Sequence, residues 1–290
     1  MLMPQNSLIA DSRDVCLQYR EYRNQLEADM EAAIEAARET AQSAARSLND
    51  FTTSESNDSV TDKLVNIVSD THDVETPKYA MVEIYAWASV CAFGAMVGSF
   101  LGCSLLSPFV ESVVERSTAM LVACIVLPSI ATLAIRQYED DVRYMDPLKD
   151  GDVRHLSLAF AIAQAVFVGR AIRSVYLSAQ PPLFITPAAI AVCYDNMPRA
   201  AGSNRVALLS CSMTAAIVAN FVFGSIFNNL TRAYIALTFC YVGASGVVMQ
   251  FIFGNVKKKS AIHIYQHALV TVLITVKGCF FLVFGSYAYM

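Results

Sequence analysis

Val206 to Phe227 reads VALLSCSMTAAIVANFVFGSIF, a stretch of 22 residues without a single charge. A helix of that length reaches about 33 Å, enough to cross a hydrocarbon core of roughly 30 Å. As an open strand in lipid the same residues would leave their backbone N–H and C=O groups unpartnered, so the segment is predicted to be helical. On either side of it, further apolar segments run from Tyr79 to Leu101, Ser117 to Ile135, Leu156 to Tyr176, Leu183 to Met197, Ala233 to Phe253 and Ile264 to Tyr287. The sequence therefore predicts an all-α membrane protein. Seven transmembrane helices within residues 79–290 follow a polar tail, residues 1–78. Composition agrees: 55% of residues are hydrophobic, 16% are charged and the mean hydropathy is +0.44, too apolar for an ordinary soluble domain.

Charge separates the two regions. Residues 1–78 hold 15 acids and 7 basic residues, net −8, whereas residues 79–290 hold 10 acids and 14 basic residues. Such a tail is a poor partner for nucleic acid or for an anionic membrane surface. It has no apolar run of the signal-peptide kind, and the N-terminus is expected to be cytosolic. From Tyr19 to Leu48, residues Leu26, Met30, Ala33, Ala37, Ala41, Ala44 and Leu48 recur at helical spacing. This face is mostly alanine, too weak for a coiled coil without a partner. Asn49 to Pro77, rich in Ser, Thr and Asp, is expected to be a disordered linker.

The fourth apolar segment is the shortest, and Pro181, Pro182 and Pro187 crowd its start. Loop charge favours its crossing. With seven passes and a cytosolic N-terminus, the cytosolic loops hold Arg136, Arg143, Lys149, Arg154, Arg199, Arg205 and Lys257 to Lys259, and the opposite loops hold Arg116 and Arg232. That distribution follows the positive-inside tendency and puts the C-terminus on the far side.

The chemistry available is narrow. No Asp or Glu occurs after Asp195, a run of 95 residues. There is no His-Glu-x-x-His, no Gly-x-Ser-x-Gly and no glycine-rich phosphate loop, so an enzyme is not expected. Eight cysteines are scattered without a Cys-x-x-Cys spacing and read as packing residues. His263 and His267 share a helix face but have no third ligand in register, and neither metal nor cofactor is expected. Asn229-Leu230-Thr231 is a glycosylation sequon in a loop too short to be modified. The unusual residues are the cations inside apolar segments, Arg170, Arg173 and Lys277. A charge at the centre of a spanning helix costs about 2.5–3.5 kcal/mol on insertion scales, so it tends to face a bundle interior or water. Arg173 is near enough to the end of its segment for its stem to reach water. Arg170 is a turn deeper, and Lys277 is about 20 Å into the last helix. Asp195, about 15 Å from Lys277 in depth, is too far away to pair with it.

Several stretches resemble the Bax-inhibitor-motif family of transmembrane proteins, which includes Bax inhibitor and the lifeguard proteins. They are Ile84-Tyr85-Ala86 and Cys91-Ala92-Phe93 in the first segment, Arg154 leading into the third, Gln180-Pro181 after it, Phe223-Gly224-Ser225-Ile226, Gln250, and Tyr265 with His267, Ala268 and Leu269. The likeness covers roughly residues 79–285. Late in the third segment, where such proteins tend to show Gly-Pro, this chain has Gly169-Arg170-Ala171. The resemblance implies a seven-helix bundle of the Bax-inhibitor type in the endoplasmic reticulum or another endomembrane. It further implies a role in calcium homeostasis and restraint of cell death, with membrane lipid and other membrane proteins of cell-death regulation as partners. The family's facing acidic pair, linked to pH-gated calcium leak, falls here on Val248 and on Val270 or Ile274. Loss of those carboxylates, together with the bundle cations, implies resistance to Ca²⁺ passage. Arg170, Arg173, Asp195, Gln250, His267 and Lys277 are the candidate polar residues of the bundle interior. A non-conducting scaffold or adaptor acting through the acidic tail is the alternative. A transporter with a broken fourth segment is a more distant one.

Overall fold

The computed structural model describes residues 72, 78–107, 114–141, 147–173, 175–176, 179–196, 204–255 and 262–287. The helix expected over Tyr19 to Leu48, the linker to Pro77 apart from His72, and Arg143, Arg199 and Lys257 to Lys259 lie outside them. Among the described residues seven helices are formed: α1 (Lys78–Cys103), α2 (Arg116–Leu121, continuing through Val122–Val126 into Leu127–Asp141), α3 (Pro147–Ile172), α4 (Ile185–Asn196), α5 (Arg205–Ile226), α6 (Arg232–Asn255) and α7 (Ile262–Phe284). After α3 and after α7 the chain turns extended, and β1 (Val175–Tyr176) pairs antiparallel with β2 (Ser286–Tyr287).

Six of these helices, α1, α2, α3, α5, α6 and α7, are long and apolar enough to cross a membrane. The fourth segment is different. Its 12-residue helix is about 18 Å long, short of a bilayer core, which corrects the expectation of seven spanning helices. Hydropathy counted Leu183 and Phe184 into the helix, but the stretch before Ile185 is non-helical. The segment nonetheless runs the length of the bundle. Gln180 lies with Cys103 at the end of α1, the Phe184 ring meets Phe93 midway along it at 5.6 Å, and Asp195 pairs with Lys78 at its start. Non-helical backbone at this depth must be enclosed by protein, and Ala179, Pro181 and Leu183 are buried. Pro181 and Pro182 have no N–H, so two backbone donors that would need partners are absent.

The helices alternate in direction. Built onto Gly94, Gly98 and Gly102, a Cβ would meet Leu158, Ile162 and Val166 in turn, so α1 and α3 run parallel. Gln266 Nε2 reaches Cys91 Sγ at 3.5 Å and Lys277 lies by Cys103, which sets α7 in the same direction. α2 opposes α7, with Met120 beside Gly278. α6 folds back on α5, where the Tyr234 hydroxyl donates to the Asn220 carbonyl at 2.8 Å. α1 also holds α6, through the Tyr85 hydroxyl and the Ser245 carbonyl at 2.7 Å.

The α1–α3 seam is the tightest contact. A Cβ at Gly102 would stand 2.1 Å from the Val166 carbonyl oxygen, one at Gly98 2.6 Å from that of Ile162, and one at Gly169 2.3 Å from that of Ser99. Backbone touches backbone here. Helices associate in this way where burial of apolar surface cannot drive them together, because small residues let dispersion contacts and weak polar contacts accumulate. In α2 a single proline sets the local geometry. Pro128 cannot donate to the preceding turn, and the chain widens just before it, with the Leu127 N–H reaching five residues back to the Val122 carbonyl. The hydroxyls of Ser129 and Thr132 donate to the carbonyls of Ile125 and Pro128, both at 2.7 Å.

Candidate functional site

Enclosed charges lie towards the two ends of the bundle and do different things there. At the end where α1 starts, they are paired. Glu83 of α1 and Arg154 of α3 form an ion pair whose side chains are 13% and 15% exposed, and the guanidinium lies 4.6 Å over the Trp87 ring. Such a pair is costly to break from one side, since the remaining charge stays desolvated. Lys78 meets Asp195 at 3.0 Å, but in an exposed setting worth little. Arg205, the first residue of α5, is 1% exposed and is the largest fully buried side chain among the described residues. Its Nε donates to Gln250 Oε1 at 2.6 Å, its Nη2 donates to the Gln250 carbonyl at 3.2 Å, and it lies 5.4 Å from the Phe253 ring. A cation at a helix N-terminus opposes the helix dipole. The contacts from α6 compensate it, and Asn204 caps the helix by accepting from the Ala207 N–H at 3.0 Å.

The expected residues are thus placed as follows. Gln250 is buried as the Arg205 partner, and Asp195 is exposed and bound to Lys78. His267 is buried on α7, 3.4 Å from Thr271 Oγ1 and bonded to the Pro128 carbonyl of α2, so it sits inside the bundle and not at its edge. Val248, Val270 and Ile274 belong to the apolar core. Arg170 is half-buried near the end of α3, and Arg173, one turn on, is exposed and donates to Ser107 Oγ at 2.6 Å. Lys277 is 5% exposed. The described residues bring no three His, Cys, Asp or Glu together.

Sequence reading missed Arg205, Glu83 and Arg154 as interior residues. Arg154 and Arg205 were counted as loop charges, although each stands within a helix. A signal for the clamp was present: Gln250 is an uncharged polar residue in an otherwise apolar run, and a buried amide needs a partner.

At the opposite end, where α1, α3 and α7 finish, the cations face a cavity. Ser99, Cys103, Arg173, Gln180, Lys277 and Phe281 are among the residues around a pocket of about 490 Å³. It brings Arg173 and Lys277 together, while Arg170 is not part of its wall. Two cations, an amide and a hydroxyl facing one space can hold an anion by charge-assisted hydrogen bonds.

No curated protein and no solved structure matches this chain. A family model described as Interactor of ZYG-11 does match, over residues 6–287. That match overturns the resemblance to the Bax-inhibitor family, and the calcium and cell-death roles drawn from the resemblance fall with it. Val248, Val270 and Ile274 are accordingly ordinary core residues and not the vacated positions of an acidic pair. Short stretches such as Phe223-Gly224-Ser225-Ile226 are what any bundle of apolar and small residues can present, whereas the family match takes in the acidic tail and every helix. On that extent of agreement, the chain belongs to the family of interactors of ZYG-11.

Proposed function

We propose that this chain is an integral membrane protein that holds a ZYG-11 protein at the membrane surface. The observation that carries this reading is the extent of the family match, residues 6–287, which joins a net −8 polar segment to a bundle with six helices long enough to span. Residues 1–78 form the part accessible to a soluble partner, and residues 79–290 form the membrane domain. The fourth pass, non-helical and then helical, makes the number of crossings odd. By position in the chain, Lys78, Arg136, Arg143, Arg154, Arg199, Arg205 and Lys257 to Lys259 fall on the side where α1 begins, against Arg116, Arg170, Arg173, Arg232 and Lys277 on the other, and the positive-inside tendency puts the first side, with the tail, in the cytosol. Binding, not catalysis, is the activity assigned.

Two measurements test the reading. Alkaline carbonate should leave the full chain in the membrane pellet and detergent should release it. Purified ZYG-11 should then bind the detergent-solubilised chain, and deletion of residues 1–60 should abolish binding while the helical bundle still elutes as a folded species. Release by carbonate would sink the membrane assignment. Undiminished binding by the truncated chain would move the partner site from the tail to the bundle.

A further inference from the structure

We propose that the pocket at the far end of α1, α3 and α7 is a binding site for an anionic lipid. The head group would sit against Lys277 and Arg173, and the acyl chain would leave across Val97 and Phe100. This goes beyond partner binding and rests on the membrane reading above. Lys277 is 5% exposed and makes no hydrogen bond or ion pair with any described residue. A buried ammonium of this kind requires a counter-charge or a hydrogen-bonding partner. Among the described residues no carboxylate is bonded to it. α7 has no acid, α1 has only Glu83, about 24 Å away along the helix and already bound to Arg154, the acids of α3 lie in its first two turns, and Glu115, which precedes α2 at this end of the bundle, forms no ion pair with Lys277.

An anion from outside would supply the countercharge, and the walls indicate its form. Ser99, Gln180 and Arg173 bring further polar groups to the same space, so an anionic head is favoured over an apolar one. At about 490 Å³ the pocket is within the usual range for small-molecule sites, roughly 300–1,000 Å³. It opens sideways and not only towards water. Val97 and Phe100 line it and are 44% and 69% exposed, so the mouth faces the region that hydrocarbon chains occupy. A soluble anion would gain nothing from that apolar lip. A lipid whose head enters while its chain stays in the bilayer would.

Purified full chain in a neutral detergent provides the test, with the thermal midpoint read as each probe is titrated. Phosphatidylglycerol or oleate should raise the midpoint, and phosphatidylcholine and inorganic phosphate should not; the first two separate a phosphate head from a carboxylate. Lys277→Met keeps the shape while removing the buried charge, and should weaken the response about tenfold or more. Lys277→Arg should retain part of it. Arg173→Gln, an exposed position, should fold normally and show an intermediate loss. Equal stabilisation by phosphatidylcholine, an undiminished response in Lys277→Met, or a shift with inorganic phosphate alone would each overturn the proposal. A chain that stays in carbonate-washed membranes yet fails these titrations loses this site and keeps its membrane assignment.

Discussion

α1 and α5 are both long, apolar and nearly free of charge, yet the bundle uses them in opposite ways. In the most apolar 18 residues of α1, 44% are buried, against 22% in α5. α1 turns glycines inward and touches the backbone of α3; α5 turns Val218, Val222 and Ile226, spaced by four, outward. Neither arrangement follows from hydropathy. In a soluble protein the valine stripe would be the buried face, because water drives it there. Against lipid an exposed valine costs nothing, and the faces that must find each other are the small and polar ones.

Substitutions at the two helices should therefore diverge sharply. The largest effect is expected at Gly102, where the first added carbon falls 2.1 Å from a main-chain oxygen that cannot rotate away. Gly102→Leu should force α1 off α3 at a cost of about 3 kcal/mol or more, seen as loss of the monodisperse peak in gentle detergent. Gly94→Ala is the sharper comparison. Its nearest neighbour is the end of the Leu158 side chain at 2.7 Å, which can change rotamer, so the cost should be well under half as large. Next comes the Arg205 clamp. Gln250→Leu removes the acceptor at 2.6 Å from a buried guanidinium, and hydrogen bonds to charged groups contribute about 1.5–3 kcal/mol. Denaturation in mixed micelles should show a loss in that range, and Gln250→Glu should recover most of it.

The same comparison shows what could be read in the sequence. Positions of the long helices were legible, because length and lack of charge are properties of each segment alone. The fourth was misread, since hydropathy registers how apolar Leu183 and Phe184 are and not that they form a turn after Pro181 and Pro182, with the helix starting only at Ile185. Partners were harder. Arg205 looked like a loop charge because it lies at a helix boundary, and only the return of α6 alongside α5 shows Gln250 waiting for it. The seam of Gly94, Gly98 and Gly102 was not singled out in the sequence, and α3 as its partner follows only from packing between helices that are not consecutive in the chain. Lys277 stood out as a buried cation from composition alone; the cavity in front of it did not.

A smaller effect should separate the two ion pairs at the end where α1 starts. Asp195→Asn breaks the Lys78 contact, where the side chains are 47% and 59% exposed, and should cost no more than about 1 kcal/mol, vanishing at high salt. Glu83→Gln breaks the enclosed pair with Arg154 and should cost more and respond little to salt.

The smallest expected change is the most telling for the partner. Val218→Ala and Val222→Ala together remove methyl groups that already face outward, and exposed substitutions away from special features shift stability by about 0.5 kcal/mol or less. If the outward stripe of α5 only meets lipid, the double variant should match the parent chain both in thermal midpoint and in ZYG-11 binding. A variant that keeps its midpoint but loses partner binding would show that the stripe is a docking face, and that α5 is left uncovered by the bundle for a protein and not for lipid. The valines would then be doing between chains what the α1 glycines do within one.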